Sequence, residues 1–199
     1  MNTVRYRVAI LGASGYTGAE LVRLLARHPN AEIAAITADR KAGQSMADVF
    51  PHLTFVDLPA LTTIDDVNWT GIDAVFCALP HATTQKVLAG LPDHIKIVDL
   101  SADFRLEDPA AYEEWYGHAH QALELQKEAV FGLPEFYREK IRSARLVANT
   151  GCYVATALIP LIPLVSAGVI DAEEIVIDAA SGVTGAGRGA KEANLFTEV

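Results

Sequence analysis

Near its N-terminus the chain reads Arg7-Val8-Ala9-Ile10-Leu11-Gly12-Ala13-Ser14-Gly15-Tyr16-Thr17-Gly18, and this run limits the architectures that the sequence can form. The apolar residues before Gly12 predict a short, buried parallel strand. After Gly18 the apolar residues have helical spacing until Pro29, and Glu32 to Thr37 then reads as a second strand. The sequence therefore predicts a βαβ unit whose first turn carries a glycine at every third position.

The three glycines of this turn have separate tasks. Gly12 permits the tight bend, Gly15 lets the backbone approach a pyrophosphate, and Gly18 allows the helix to pack closely on the strand. The N–H groups at the start of the helix can then hold phosphate oxygens. The turn predicts a dinucleotide site, and the alternative is a glycine-rich turn that serves packing alone.

The residues after the second strand bear on the choice of dinucleotide. Asp39 could accept a hydrogen bond from a ribose 2′-hydroxyl, which favours NAD, whereas Arg40 and Lys41 suit the 2′-phosphate of NADP. We favour NADP because two adjacent cations outnumber one carboxylate in a chain whose net charge is −9. The alternative for both cations is an ordinary exposed loop.

The alternation of strands and helices continues along the chain. Asp73 to Leu79 and Ile95 to Leu100 read as two more strands, and the dipeptide Asp108-Pro109 reads as the N-cap and first residue of a helix. This alternation predicts an α/β fold with a Rossmann-type, doubly wound parallel sheet. Ligands of such sheets bind at the carboxyl ends of the strands, so the loops that begin at Pro80 and Ser101 should face the cofactor crevice.

A second distinctive stretch is Asn149-Thr150-Gly151-Cys152-Tyr153, which lies between a strand-like run, Arg145 to Ala148, and an apolar helix start. At a helix N-terminus Cys152 would meet free N–H groups and the helix dipole, which lower the pKa of a thiol and favour its action as a nucleophile. The alternative is a small buried hydrophobic residue. Cys77 lies inside an apolar run and is most simply such a residue.

The remainder of the chain predicts the beginning of a second domain. Glu174 to Ala179 reads as a strand, a glycine-rich loop follows from Ser181 to Gly189, and Ala190 to Phe196 has a helical pattern. We therefore predict a dinucleotide-binding domain over residues 1–148 and, over 149–199, the start of an α+β catalytic domain. One strand and one helix beyond the cysteine helix do not make a self-sufficient domain, so the chain is expected to be truncated.

Composition and charge exclude several classes of function. The chain is 51% hydrophobic and 21% charged, as expected for a soluble globular protein, and its net charge of −9 argues against nucleic acid or an anionic membrane as a partner. The longest apolar stretch, Ala157 to Val165, is interrupted by Pro160 and Pro163, and we expect a cytoplasmic protein. His118 and His120 form a pair without further ligands at metal-binding spacing, so no metal site is predicted.

Six motifs carry a family resemblance: GASGYTG, ALPHATT, DLSADFRL, FGLPE, TGCY and SGVTGAGR. Their order resembles that of the N-acetyl-γ-glutamyl-phosphate reductases of arginine biosynthesis, which are related to aspartate-semialdehyde dehydrogenase. The resemblance covers essentially all 199 residues. It implies an NADPH-dependent reduction of a small anionic acyl phosphate to an aldehyde, in a homo-oligomer (dimer or tetramer).

The resemblance also implies roles for individual residues, with Cys152 as the nucleophile. The cofactor is assigned to the two cations discussed above, Arg40 and Lys41, and to residues that resemble the family's cofactor-binding positions. The latter are Gly12, Ser14, Gly15, Tyr16, Thr17, Gly18, Leu79, Pro80, Ser101, Ser181 and Gly182. Residues assigned to the substrate are Arg105, Asn149 and Arg188. Thr150 and Val154 stand where the family usually has proline, which alters the shape of the turn rather than its chemistry.

The implied mechanism is covalent: the Cys152 thiolate displaces phosphate from the acyl group, and hydride then reduces the thioester. The family's catalytic histidine lies in a His-Arg-His segment that would follow soon after Val199, so this chain is expected to bind NADPH but to turn over poorly. Two alternatives stay open. One is the related acyl-phosphate reductase of aminoadipate-route lysine biosynthesis, and the other is a regulatory dinucleotide-binding module without catalysis.

Overall fold

A computed structural model describes residues 5–189 of the chain. The chain divides into two compact units, Met1–Asn149 and Thr150–Val199, and each is described by itself. The first unit contains a six-stranded sheet, and the second begins with the helix that carries Cys152.

Six strands form the sheet of the first unit, and all five neighbouring pairs are parallel. Their bounds are β1 Tyr6–Leu11, β2 Ala31–Ile36, β3 Ala74–Cys77, β4 Lys96–Asp99, β5 Ala129–Gly132 and β6 Leu146–Asn149. The order across the sheet is β2-β1-β3-β4-β6-β5. The chain moves outward from β1 to β2 and then returns to the other side of β1 to form β3, so the switch point of the sheet lies between β1 and β3.

Helices of the first unit connect these strands. Their bounds are α1 Tyr16–Leu25, α2 Met46–Val49, α3 Thr84–Ala89, α4 Pro109–Tyr116, α5 Leu123–Gln126 and α6 Pro134–Ser143, with a 3₁₀ turn at Pro51–Leu53. The Rossmann-type α/β fold predicted from the sequence is confirmed. The predicted cap is also present, because Asp108 accepts a hydrogen bond from Ala110 N and Pro109 opens α4.

Both faces of the sheet are covered, which explains the nearly continuous apolar runs of its strands. On one face Leu11, Val75 and Ile97 belong to one buried cluster. Ile10 points to the opposite face, where it joins a second cluster that includes Val22 of α1. The alternation of successive side chains along β1 therefore supplies both cores of a three-layer structure.

The sequence analysis did not predict β5. Its position at the edge of the sheet, beside β6, depends on Gly132, where a Cβ atom would come within 2.8 Å of Asn149 Cα and 2.9 Å of Ala148 O. Gly132 thus permits two backbones to approach closely.

In the second unit, α7 spans Cys152–Ser166 and continues through Pro160 and Pro163. Both prolines are exposed, so solvent can reach the backbone carbonyls that proline leaves without a helical donor. No helix among the described residues is both long and apolar enough to cross a membrane.

The strand predicted at Glu174 to Ala179 is not observed. These residues form no ladder and lie mostly exposed, with 93% exposure for Val176. A β-branched run forms a strand only where a neighbouring strand pairs with it, and no described residue pairs with this one. A 3₁₀ turn at Val183–Ala186 is the element that follows, and the helix predicted from Ala190 to Phe196 lies outside the described residues.

Candidate dinucleotide site and cysteine nucleophile

At two positions of the glycine turn after β1, Gly12 and Gly18, the structure accepts no residue other than glycine. Gly12 has φ +78°, and a Cβ there would lie 2.6 Å from Ala78 O. A Cβ at Gly18 would lie 2.6 Å from Ala13 Cα and would also overlap Gly12 O. Gly12 therefore permits the bend and the approach to β3, while Gly18 lets α1 begin directly against the turn.

Gly15 differs from these two glycines because packing does not require it. Its φ of −85° suits any residue, and a Cβ would meet only Gly12 O, at 3.6 Å. Gly15 is the N-cap of α1 and no side chain caps this helix end. The first N–H groups of α1 thus lie beside a position with no side chain, which is the geometry that an approaching phosphate needs.

The other residues predicted in this turn surround that helix start. Ser14 is half-buried, whereas Thr17 and Tyr16 are exposed, and the Tyr16 ring lies 6.4 Å from the Phe50 ring. The turn itself is tied to the end of β2, because Ala13 N donates to Thr37 O over 2.8 Å. The turn over residues 12–18, here called the dinucleotide cradle, is thus held at the switch point of the sheet.

Arg40 and Lys41 are exposed in the loop that follows β2. Two backbone hydrogen bonds hold the far end of this loop: Gly43 N donates to Leu61 O and Leu61 N donates to Gln44 O. The structure places both cations near the carboxyl end of the strand next to β1, where the sequence analysis expected a contact with the ribose. Their role in binding stays a prediction.

The loops that follow β3 and β4 are joined to each other. Leu79 is half-buried and Pro80 is exposed, and Nδ1 of His81 accepts a hydrogen bond from Ala102 N over 2.8 Å. Ser101 is buried, and its hydroxyl donates to Asp99 Oδ2 over 2.6 Å. The hydroxyl of Ser101 is thereby used inside the protein, while Leu79 and Pro80 begin the loop beside the glycine turn.

Two buried carboxylates, those of Asp99 and Asp103, lie next to the loops that follow β3 and β4. Asp99 is enclosed at the end of β4, and burial raises its pKa although hydrogen bonds from Ser101 partly oppose that shift. Asp103 accepts hydrogen bonds from Ala82 N, Thr84 Oγ1 and Tyr112 Oη. The sequence analysis missed Asp103 as a partner of the β3 loop; its only signal was an acidic residue within the motif DLSADFRL, Asp99 to Leu106.

Arg105 and Asn149 meet at the carboxyl ends of β4 and β6. Nε of the half-buried Arg105 donates to Asn149 O over 2.8 Å, and its Nη2 donates to Leu100 O over 3.0 Å. The guanidinium therefore places a positive charge where β6 ends, three residues before Cys152 along the chain. This brings together two of the three residues predicted to bind substrate.

Cys152 is the first residue of α7 and is exposed, with Gly151 as the N-cap. Ala155 N already donates to Gly151 O, so the N–H groups ahead of it are those without a helical partner. Cys77, by contrast, is fully buried in β3, where burial and the nearby Asp99 raise the pKa of its thiol. The predicted helix start at Cys152 and the predicted burial of Cys77 are both present.

The remaining predicted residues also lie in the second unit. Ser181, Gly182 and Arg188 are exposed, and Ser181 Oγ donates to Gly182 O over 3.3 Å. Their assignment to cofactor and substrate stays a prediction. Among residues 5–189, no group of three His, Cys, Asp or Glu side chains could hold a metal ion.

A parallel sheet with a glycine turn at its switch point and a helix N-terminus beside Gly15 defines the first unit as a Rossmann-type dinucleotide-binding domain. Residues 7–144 match the NAD binding domain of semialdehyde dehydrogenase, and residues 152–199 match the semialdehyde dehydrogenase dimerisation domain. The chain belongs to the semialdehyde dehydrogenase family.

Several curated relatives are similar over nearly the whole chain. An N-acetyl-gamma-glutamyl-phosphate reductase of Ruegeria pomeroyi is 61% identical over 98% of this chain and 57% of its own length. A chloroplastic protein of Oryza sativa subsp. japonica, named as a probable reductase of the same kind, is 61% identical over 97% of this chain and 46% of its own length. The chain thus spans about half the length of the curated relatives that it matches.

Solved structures show the same fold at lower identity. Aspartate semialdehyde dehydrogenase of Candida albicans, solved with NADP, has a TM-score of 0.61 at 20% identity and covers 82% of this chain and 47% of that one. Aspartate semialdehyde dehydrogenase II of Vibrio cholerae has a TM-score of 0.61 at 15% identity, over 82% and 43%. These neighbours support the architecture described above.

Proposed function

We propose that this chain serves the NADPH-dependent reduction of N-acetyl-γ-glutamyl phosphate to N-acetylglutamate semialdehyde, through a thioester on Cys152. The observation that carries the proposal is the exposed thiol at the first residue of α7. The names of the relatives that are about 60% identical support the choice of substrate.

The first half-reaction needs a nucleophile and groups that stabilise charge. The Cys152 thiolate attacks the γ-carbonyl carbon, the bond from that carbon to the phosphate oxygen breaks, and inorganic phosphate leaves. The free N–H groups of the first turn of α7 are suited to the developing oxyanion, a contribution of about 3 kcal/mol when well aimed. We assign Arg105, Asn149 and Arg188 to the anionic substrate.

The residues of the glycine turn fit a dinucleotide, because the positions of Gly12 and Gly18 leave no room for a side chain and Gly15 lies open beside the N-terminus of α1. We propose that this turn holds the pyrophosphate and that Arg40 and Lys41 hold a 2′-phosphate. Bound NADPH would supply the hydride that reduces the thioester. The C–S bond then breaks, which releases the aldehyde and restores the Cys152 thiolate.

Release of phosphate in the absence of NADPH tests this proposal, because every group assigned to the first half-reaction lies within this chain. The 199-residue chain is mixed with N-acetyl-γ-glutamyl phosphate, and we expect a burst of about one phosphate per chain. Cys77→Ala should keep the burst and Cys152→Ala should lose it. Equal release by the unmodified chain and by Cys152→Ala would contradict the mechanism.

The same experiment distinguishes the two alternatives. A larger burst with the acyl phosphate of the aminoadipate series, which is longer by a methylene group, would favour the reductase of lysine biosynthesis. NADPH binding without any burst would favour a regulatory module.

The match of residues 152–199 to a dimerisation domain supports self-association, and we propose a homodimer or homotetramer. Sedimentation of the purified chain measures its oligomeric state. A cytoplasmic location stays a prediction, since some of the relatives are named chloroplastic.

A further inference from the structure

The carboxylate of Asp103 is fully buried and connects three elements of the first unit. Its Oδ1 accepts hydrogen bonds from Ala82 N over 2.9 Å and from Tyr112 Oη over 3.0 Å, and its Oδ2 accepts one from Thr84 Oγ1 over 2.5 Å. Two of these three donors belong to the loop and helix start that follow β3. The third belongs to α4, on the side of the core.

The segment that Asp103 holds contains an unfavourable backbone conformation. Ala82 has φ +66°, in the left-handed region that residues other than glycine seldom adopt. Such a conformation persists where the surrounding structure enforces it, and it is concentrated at binding and active sites. Its N–H donates directly to Asp103, so the carboxylate stabilises this turn, in addition to the hydrogen bonds that Thr83 donates to Pro80 O.

This turn lies next to the dinucleotide cradle. A Cβ on Gly12 would lie 2.6 Å from Ala78 O and 3.3 Å from Leu79 N, so the loop of residues 79–83 begins in contact with the glycine turn. The loop is also fixed from the side of β4, where Ala102 N donates to His81 Nδ1. A shift of Ala82 would therefore move residues that border the glycine turn.

Resting on the proposed function, we propose that Asp103 is a positioning residue for NADPH. Its carboxylate holds the 79–83 loop in the conformation that borders the dinucleotide cradle, while its bond to Tyr112 anchors it in the core. The buried acid thus acts on the cofactor through Ala82 and Thr84, without touching it.

The hydrogen bonds that Asp103 accepts on the loop side and on the core side can be tested separately. Thr84→Val removes the hydroxyl that holds the loop, together with its hydrogen bond to Ser101 Oγ. Tyr112→Phe removes the hydroxyl on the core side, together with the hydrogen bond that it accepts from Gln85 Nε2 of α3. Both replacements keep the shape of the side chain. We expect Thr84→Val to raise the dissociation constant of NADPH about tenfold, the loss of roughly one charge-assisted hydrogen bond. Tyr112→Phe should leave it within about twofold while lowering the urea midpoint of unfolding.

A second substitution tests the role of the backbone conformation. Glycine adopts positive φ without a steric cost, so Ala82→Gly combined with Thr84→Val should recover part of the lost affinity. A merely structural role for Asp103 predicts no such recovery.

NADPH affinity is measured by quenching of tryptophan fluorescence, and stability by urea unfolding. The inference is overturned if Thr84→Val and Tyr112→Phe change NADPH affinity equally or not at all, or if the double variant is as weak as Thr84→Val. If the unmodified chain does not bind NADPH, the proposed function fails and this inference fails with it.

Discussion

Replacement of Gly15 by alanine separates binding from folding in the glycine turn. The backbone at Gly15 has φ −85° and ψ 168°, which alanine adopts without strain, and the new Cβ would meet only Gly12 O, at the ordinary distance of 3.6 Å. Since the substitution also reduces the entropy of the unfolded chain, we expect stability to be unchanged or higher by up to about 1 kcal/mol.

The expected loss is in cofactor binding. The methyl group would occupy the space beside the free N–H groups of α1 that we assign to the pyrophosphate. Loss of one hydrogen bond to a charged phosphate costs about 1.5–3 kcal/mol, which corresponds to roughly ten- to a hundredfold weaker NADPH binding. Fluorescence titration with NADPH and urea unfolding give the two quantities on the same protein sample.

Gly90→Ala is the matched control. Gly90 also has negative φ, and a Cβ there would meet Lys86 O and Val87 O at 3.6 Å, at the end of α3. Gly90→Ala should change neither the NADPH affinity nor the free energy of unfolding by much. Gly18→Ala should behave in the opposite way to Gly15→Ala, because its Cβ would collide with backbone and cost about 1–3 kcal/mol of stability. Unchanged NADPH affinity in Gly15→Ala would refute the assignment of this turn to the pyrophosphate.

Three further results are expected. Replacing Arg40 and Lys41 together by alanine should weaken NADPH binding much more than NADH binding, and equal losses in a fluorescence titration would count against their contact with a 2′-phosphate. Brief treatment with iodoacetamide should label the exposed Cys152 and spare the buried Cys77, as read by peptide mass mapping; preferential labelling of Cys77 would contradict the site. Asp108→Ala should lower the free energy of unfolding by about 1 kcal/mol through loss of the α4 cap, whereas no change in the urea midpoint would show that this cap is unimportant.

The sequence predicted those parts of the fold that short-range patterns determine. The strand from Tyr6 to Leu11, the glycine turn and α1 are contiguous, and their apolar periodicity and glycine spacing are visible without knowledge of any partner. The same holds for the helix start at Cys152. These elements also carry most of the candidate site.

The features that escaped prediction depend on partners distant along the chain. The strand Ala129–Gly132 has only four residues and is recognisable through its pairing with β6. Asp103 is interpretable only once Ala82, Thr84 and Tyr112 converge on it. Conversely, Glu174 to Ala179 has the residues of a strand but no described neighbour to pair with, so composition alone gave a wrong result.

The central claim is that Cys152 carries the acyl group during the reaction. The direct measurement is the mass of the peptide that contains Cys152, after the chain has been mixed with N-acetyl-γ-glutamyl phosphate and quenched in acid. We predict that this peptide gains the mass of the N-acetylglutamyl group in the absence of NADPH and loses it again when NADPH is added before the quench. An acyl group on another residue, or no acyl group on the chain while phosphate is released, would contradict the account.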